Sequence, residues 1–290
     1  MRRLLSLFGL SLLAHAMPAD ASERRWGGKL RLTDGVSSVE GAAGGGLASW
    51  AVIAGSETRD GIGGSAHATL VALPDFDLKT AGISLGLNDR VELSYAYQRF
   101  DTRRAGAALG LGRGFTFGQH IVSGKVRLVG DAVWDQDRWL PQIAIGVQHK
   151  VADQGAVIRQ IGGRSASGTD LYASATKVVL AQSLVVDATM RWTKANQFGL
   201  LGFGGDRRRG RSLQFEGSAG LLVTPSLLLG AEWRTKPDNL AFAREQRALD
   251  AFAAWAVARH LTVTAAYVDL GDIATFRRQR GAYLSLRGNF

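Results

Sequence analysis

Few residues in this chain are typed and spaced for bond-making chemistry. Beyond residue 22 there are four histidines, His67, His120, His149 and His260. They stand too far apart in sequence to suggest the close spacing of metal ligands, and His149 falls among apolar alternates. Cysteine is absent, which removes thiolate metal sites, disulfides and lipoprotein anchoring together. Residues 118–125 resemble a phosphate loop only loosely: five residues separate Gly118 from Gly124, and Val126 stands where a hydroxyl is required. Gly110-Leu111-Gly112-Arg113-Gly114 lacks the dinucleotide fingerprint, and Asp135-Gln136-Asp137 reads as a solvated turn rather than a calcium loop. His67 beside an interior serine would make an outer-membrane hydrolase conceivable, yet no spacing supports the pair. The chain is expected to have no catalytic residue, no metal and no cofactor, and not to be an enzyme.

What remains is charge, a formal +10 in total. Arginines cluster at Arg103, Arg104 and Arg113, at Arg159 and Arg164, at Arg207, Arg208, Arg209 and Arg211, and at Arg277, Arg278 and Arg280. A guanidinium binds phosphate through a planar fork, so these clusters suit lipopolysaccharide, and they also concentrate anionic solutes. Nucleic acid is not an expected partner, because no aromatic residues are interleaved with the arginines as a stacking groove requires. A second set comprises Glu92, Lys125, Arg127, Lys150, Asp187, Arg191, Glu216, Glu232, Arg234 and Lys236. Each of these stands on the polar parity of an alternating segment.

Those segments must position both sets. In residues 183–193, Leu184, Val186, Ala188, Met190 and Trp192 share one face, while Asp187, Thr189, Arg191 and Thr193 share the other. An arginine facing lipid at mid-depth costs about 2–4 kcal/mol, so the charged face is the inner one. The same logic turns Val91, Leu93, Tyr95 and Tyr97 outward, with Val122, Val126 and Leu128, with Leu213, Phe215, Ala219 and Leu221, and with Leu227, Leu229, Ala231 and Trp233. In residues 169–179, Lys177 sits on the better apolar face and the register stays open. Residues 282–290 alternate again, ending on Phe290, which resembles the closing strand of bacterial outer-membrane barrels and the signal read by their assembly machinery.

The whole chain fits an all-β transmembrane antiparallel barrel. It has 290 residues, 46% hydrophobic and only 21% charged, the balance of strands that are apolar on alternate residues. Arg2 and Arg3, the apolar residues 4–16 and Ala19-Asp20-Ala21 form a signal peptide over residues 1–21, cleaved before Ser22. Residues 22–290 are then one barrel domain, with no apolar run of about 18 residues for a membrane helix. Strands fall near 49–58, 63–73, 77–87, 91–100, 120–129, 139–151, 169–179, 183–193, 211–223, 227–236, 247–257, 260–269 and 280–290. Bacterial barrels take even numbers, so either residues 26–39 add a fourteenth strand or one weak segment folds elsewhere, leaving twelve. Tight turns at 88–90, 180–182, 224–226 and 258–259 belong on the periplasmic side, and long loops at 101–119, 152–168, 194–210, 237–246 and 270–279 outside. The outer mouth is therefore basic.

Glycine-rich loops 106–117 (GAALGLGRGFTF) and 198–206 (FGLLGFGGD) are candidates to fold inward as constrictions. So is the run 35–47 (GVSSVEGAAGGGL), seven of whose residues are Gly or Ala and whose only charge is Glu40; it is expected to line or partly plug the lumen.

Gly27-Gly28-Lys29-Leu30, residues 35–47, 107–114 (AALGLGRG), 130–147 (GDAVWDQDRWLPQIAIGV), 196–206 (NQFGLLGFGGD) and 236–240 (KPDNL) resemble an uncharacterised proteobacterial family, domain of unknown function 3034. The resemblance implies a porin-like barrel in the Gram-negative outer membrane and no established substrate or catalytic residues. The functional expectation is a passive or weakly selective channel for small polar or anionic solutes. A structural or surface-interacting barrel without an open pore is the alternative.

Overall fold

The computed structural model describes residues 28–135 and 138–290. Two short strands come first, β1 (Val36–Ser37) and β2 (Ala43–Gly44). Twelve longer ones follow: β3 (Ile62–Ala72), β4 (Asp77–Leu87), β5 (Val91–Asp101), β6 (Thr116–Val129), β7 (Gln142–Ala152), β8 (Ser167–Val179), β9 (Leu184–Thr193), β10 (Ser212–Thr224), β11 (Leu227–Arg234), β12 (Ala248–Ala258), β13 (Leu261–Asp269) and β14 (Arg280–Asn289). Strands β3 to β14 form a closed antiparallel barrel in which each strand pairs with its sequence neighbours. Closure joins β14 to β3, from Ala282 opposite Ala72 to Asn289 opposite Ser65. Gly64 and Phe290 then exchange backbone hydrogen bonds of 2.7 and 2.9 Å.

Alternation along each strand explains the wall. Leu93, Tyr95 and Tyr97 are exposed on the outer surface, whereas Glu92, Ser94 and Gln98 between them are buried. Trp192, Leu213, Trp233 and Leu284 likewise lie outside, and Arg191, Arg234 and Arg287 inside. The register of β8 is settled by Asp170, Tyr172, Ser174 and Thr176, all buried within the barrel. Lys177 therefore points outward, but beside the short-turn end, where its ammonium donates to the Asp135 carbonyl at 2.8 Å. The long side chain reaches out of the apolar belt to a polar partner.

One strand expected from sequence, and the segment offered as a fourteenth, are not strands of the barrel; of the two alternatives, the twelve-stranded one holds. Residues 49–58 and 26–39 were the candidates; residues 32–39 and 49–55 belong to a segment running through the interior, and Gly28, Leu30 and Arg31 lie exposed before it. Residues 32–55 are all buried. The wall therefore has twelve strands, with 49–58 and 26–39 both removed from the candidate fourteen. The physical reason is width: eight strands leave an interior that side chains fill, and it widens as strands are added. Twelve strands leave room for a chain segment, and this chain supplies its own. The proposed leader over residues 1–21 lies outside the described residues.

The interior is layered. At the long-loop end, Val39 and Leu47 of the inner segment pack with Leu73, Phe76, Phe100, Phe198 and Leu240. At the short-turn end, Trp50, Val52 and Ala54 pack with Val178, Val185, Leu228 and Phe252. Charged side chains occupy the depth between these apolar layers. Loop 198–206 folds inward, with Phe198, Leu200, Leu201 and Phe203 buried. Loop 106–117 does so in part: Gly106 and Phe117 are buried and Leu111 and Phe115 pack against the core, while Gly110, Gly112 and Gly114 stand exposed in open space with positive φ.

Candidate functional site in the barrel lumen

The inner segment enters at the short-turn end, where Lys29 meets Asp89 at 2.7 Å and Arg287 of β14 meets Asp34 at 2.8 Å. It climbs to Glu40, turns, and descends to Glu57 before β3 begins. Strands β1 and β2 pair with each other, Val36 opposite Gly44 and Ser37 opposite Ala43, and Gly44 also bridges Ser49 within the same segment. The segment thus adds nothing to the wall ladder, and most of its peptide groups need other partners.

Wall side chains supply them. Glu92 of β5 and Lys125 of β6 stand opposite each other and are 3.2 Å apart. Glu92 accepts the N–H groups of Ala43 at 3.1 Å and Ala54 at 2.8 Å, and Lys125 donates to the carbonyls of Ala43 at 2.9 Å and Val52 at 2.7 Å. One ion pair thereby clips both limbs of the segment. Glu232 accepts from Leu47 at 2.7 Å, and Glu216 from Ser49 at 2.9 Å. Thr176 accepts from Ala51, and Gln142 donates to the same residue's carbonyl, both at 2.7 Å. Arg287 donates to Gly35 at 2.7 Å. The Trp50 indole donates to Ser218 at 2.8 Å. The small residues of the run allow this closeness: a Cβ on Gly45 would stand 1.6 Å from a Glu232 oxygen.

Deeper toward the long loops lies an ionic cluster. Glu40, with no exposed surface, pairs with Lys150, with Arg234 at 2.8 Å and with Arg191 at 3.8 Å. Burial disfavours its charge, but Arg234, Lys150 and Arg191 together hold its carboxyl well below the usual carboxylate range. Lys150 also meets Asp170 at 2.7 Å, and Arg234 meets Glu216 at 3.2 Å. Arg191 bonds Glu216 and lies 4.8 Å over the Tyr172 ring. Lys236 pairs with Glu245 at 3.1 Å, and Arg127 bridges Asp89 and Asp131 at 2.8 and 3.1 Å. Asp187 is held by Thr176 at 2.6 Å and Thr189 at 3.2 Å.

All ten inward charges named from sequence are buried within the barrel. They face packed protein, however, rather than an open water-filled channel. Sequence reading missed Asp170, Tyr172, Arg287 and the Glu40 contacts. For Arg287 and Glu40 the signals were present, an arginine on the inner parity of the last strand and the lone charge in a Gly/Ala run. The rim arginines Arg103, Arg104, Arg113, Arg207, Arg208, Arg209, Arg211, Arg277 and Arg278 are all exposed. Arg207 pairs with Asp238, and Arg211 lies 5.0 Å over the Trp192 ring.

The histidines do not converge. His67 is buried with no hydrogen-bond partner on either ring nitrogen, so no serine is bonded to it. His120 meets the Tyr95 hydroxyl at 2.8 Å, His149 the Thr169 hydroxyl at 2.9 Å, and His260 the Asn289 carbonyl at 2.9 Å. Among the described residues no cluster of three or more His, Asp or Glu could hold a metal ion.

A closed twelve-stranded barrel with an apolar outer surface and a charged interior defines a β-barrel of the porin-like, outer-membrane type. The chain belongs to the family described as protein of unknown function DUF3034, whose model matches residues 33–287. No curated protein matches it in sequence. Among solved structures it is similar to the KdgM porin solved in complex with disordered oligogalacturonate, at 9% identity and a TM-score of 0.53, covering 78% of this chain and 99% of that one. It is also similar to the COG4313 outer membrane channel from Pseudomonas putida F1, at 15% identity and a TM-score of 0.47, with 81% and 96% covered. A third match is outer membrane phospholipase A from Escherichia coli, at 10% identity and a TM-score of 0.39, with 79% and 91% covered. At 9% identity the likeness to the KdgM porin is one of fold.

Proposed function

We propose that this protein is a gated solute channel of the Gram-negative outer membrane, shut in the state described by its own residues 32–55. The observation that carries this reading is that the wall ladder closes without the inner segment. The segment is held by hydrogen bonds and ion pairs to wall side chains, so it can leave toward the short-turn end without breaking a barrel strand pair. The charged side chains left behind would hydrate and line a path for small polar or anionic solutes, and the arginine-rich mouth would raise the local concentration of anions. The same arginines are suited to lipopolysaccharide phosphates, and the last strand to the barrel-assembly machinery.

A structural barrel without an open pore is the second reading, favoured by the apolar layers packed toward both ends of the lumen. Single-channel recording of the refolded protein in planar bilayers, with a salt gradient to obtain the reversal potential, separates the two. Rare, discrete, anion-selective openings support the gated channel. Silence from a verified folded barrel, persisting when the inner segment is cut out, supports the structural reading.

A further inference from the structure

The cluster around Glu40 has a charge balance of its own. Lys150, Arg191 and Arg234 carry three positive charges on the wall. The wall carboxylates bonded to them are two, Asp170 and Glu216. The third negative charge comes from Glu40, which belongs to the inner segment. Its Oε1 takes Lys150, and its Oε2 takes Arg234 at 2.8 Å with Arg191 at 3.8 Å. When the segment leaves, the wall keeps one unmatched positive charge and a set of donors already aimed at a single carboxylate. These donors are held in place by other bonds: Lys150 to the Phe198 carbonyl at 3.2 Å, Arg191 to Gln148 at 2.6 Å and Arg234 to Glu216 at 3.2 Å. Phe198, whose ring lies 4.5 Å from the Arg234 guanidinium, gives the site an apolar flank.

We propose that Lys150, Arg191 and Arg234 form a carboxylate-binding site in the lumen, that Glu40 is its internal ligand, and that small organic carboxylates compete with Glu40 for it. The site would take a monoanionic carboxylate with a modest apolar part. A ligand that binds only the vacated site shifts the equilibrium toward the displaced segment by mass action. Competition of this kind rests on the gated-channel reading; the existence of the site does not.

The test therefore has two arms. In the first, Glu40→Ala is refolded in detergent in sodium acetate or in sodium chloride at equal ionic strength, and thermal midpoints are compared. The variant should melt well below wild type in chloride and recover at least half of that loss in acetate, with no recovery in Glu40→Ala/Arg234→Met. Equal midpoints of the folded variant in the two salts overturn the site. In the second arm, amide hydrogen exchange over residues 33–57 of the wild-type protein is measured in the same salts, so nothing depends on a variant folding. At about ten times the acetate dissociation constant, exchange should quicken by about tenfold, and equal rates overturn the competition. Acetate rescue in the first arm, with bilayers silent under every condition, keeps the site and sinks the channel.

Discussion

Replacing Glu92 by Gln is the sharpest probe of how the lumen is held shut. Glu92 accepts two backbone N–H groups from opposite limbs of the inner segment and faces Lys125 at 3.2 Å. Glutamine keeps the shape but has one acceptor oxygen, so either Ala43 or Ala54 loses its partner. It also aims an amide N–H at a donor already present, and leaves Lys125, 1% exposed, without a carboxylate. Removing one partner of a buried ion pair costs about 3–5 kcal/mol. Part of that loss falls on the barrel itself, because Glu92 and Lys125 remain on adjacent strands when the segment departs. If about 3 kcal/mol falls on the closed state alone, the ratio of open to closed rises by roughly two orders of magnitude, at tenfold per 1.4 kcal/mol. Open probability in planar bilayers reads this directly. In a Lys125→Met background the same change should have a much smaller effect, since the charge it orphans is gone. A folded Glu92→Gln barrel whose openings are within threefold of wild type would refute the idea that this pair governs closure.

Other expectations concern separate parts of the molecule. Deleting residues 41–46 removes the Ala43 contacts and shortens the turn after Glu40, so conductance should change while insertion persists; unaltered conductance would count against the plug. Trp50→Ala empties a buried indole site and frees the Ser218 hydroxyl, a loss of about 3–5 kcal/mol visible as an early thermal transition. Burial pushes the Glu57 carboxyl up from 4.5 to about 7, with Lys29 3.8 Å away only partly opposing it. The folded protein then binds the proton more tightly, so stability falls as pH rises from about 4.5 to 7. Glu57→Gln should remove that slope, raising the melting point at pH 8 and leaving it unchanged at pH 4, as a pH series of thermal scans would reveal. Finally, Arg207, Arg208 and Arg209 together changed to Ala should move the reversal potential toward cation preference, with stability altered by under about 0.5 kcal/mol per site as for exposed positions; an unmoved potential would remove these arginines from the permeation path.

The barrel wall was legible because lipid and lumen impose opposite demands on alternate residues. Arg191 or Glu216 on an otherwise apolar alternation leaves one allowed register. Strand β8 resisted because Lys177 lies near its end, where a long cation reaches a polar partner from the outer face. Residues 49–58 misled for a different reason. The run Trp50-Ala51-Val52-Ile53-Ala54 is apolar on consecutive positions, the mark of a segment buried on every side, and such a run reads equally well as a strand or as packing inside one. Run 35–47 was easier, since small residues around a lone charge suit close quarters. The ionic cluster was only half visible. Parity identifies which side chains point inward, but pairing Glu40 with cations 110 and 194 residues away depends on where the inner segment turns, which no local pattern encodes.

The path of residues 32–55 through the interior also bears on the order of events in assembly. The seam between β3 and β14 joins the earliest and latest barrel strands, and it is the final ladder to form if strands pair in chain order. A segment preceding β3 can lie between the unjoined strands before that seam zips, or enter the closed cylinder afterwards through the short-turn end, the reverse of the exit that gating requires. By the first route the inner segment can act as a mandrel: Glu92, Lys125, Glu216 and Glu232 gather on its peptide groups while the sheet is still an open, curling ribbon. A chain lacking it would have to close around water and unmatched charge, and the speed of closure, more than the stability of the finished wall, would register its absence.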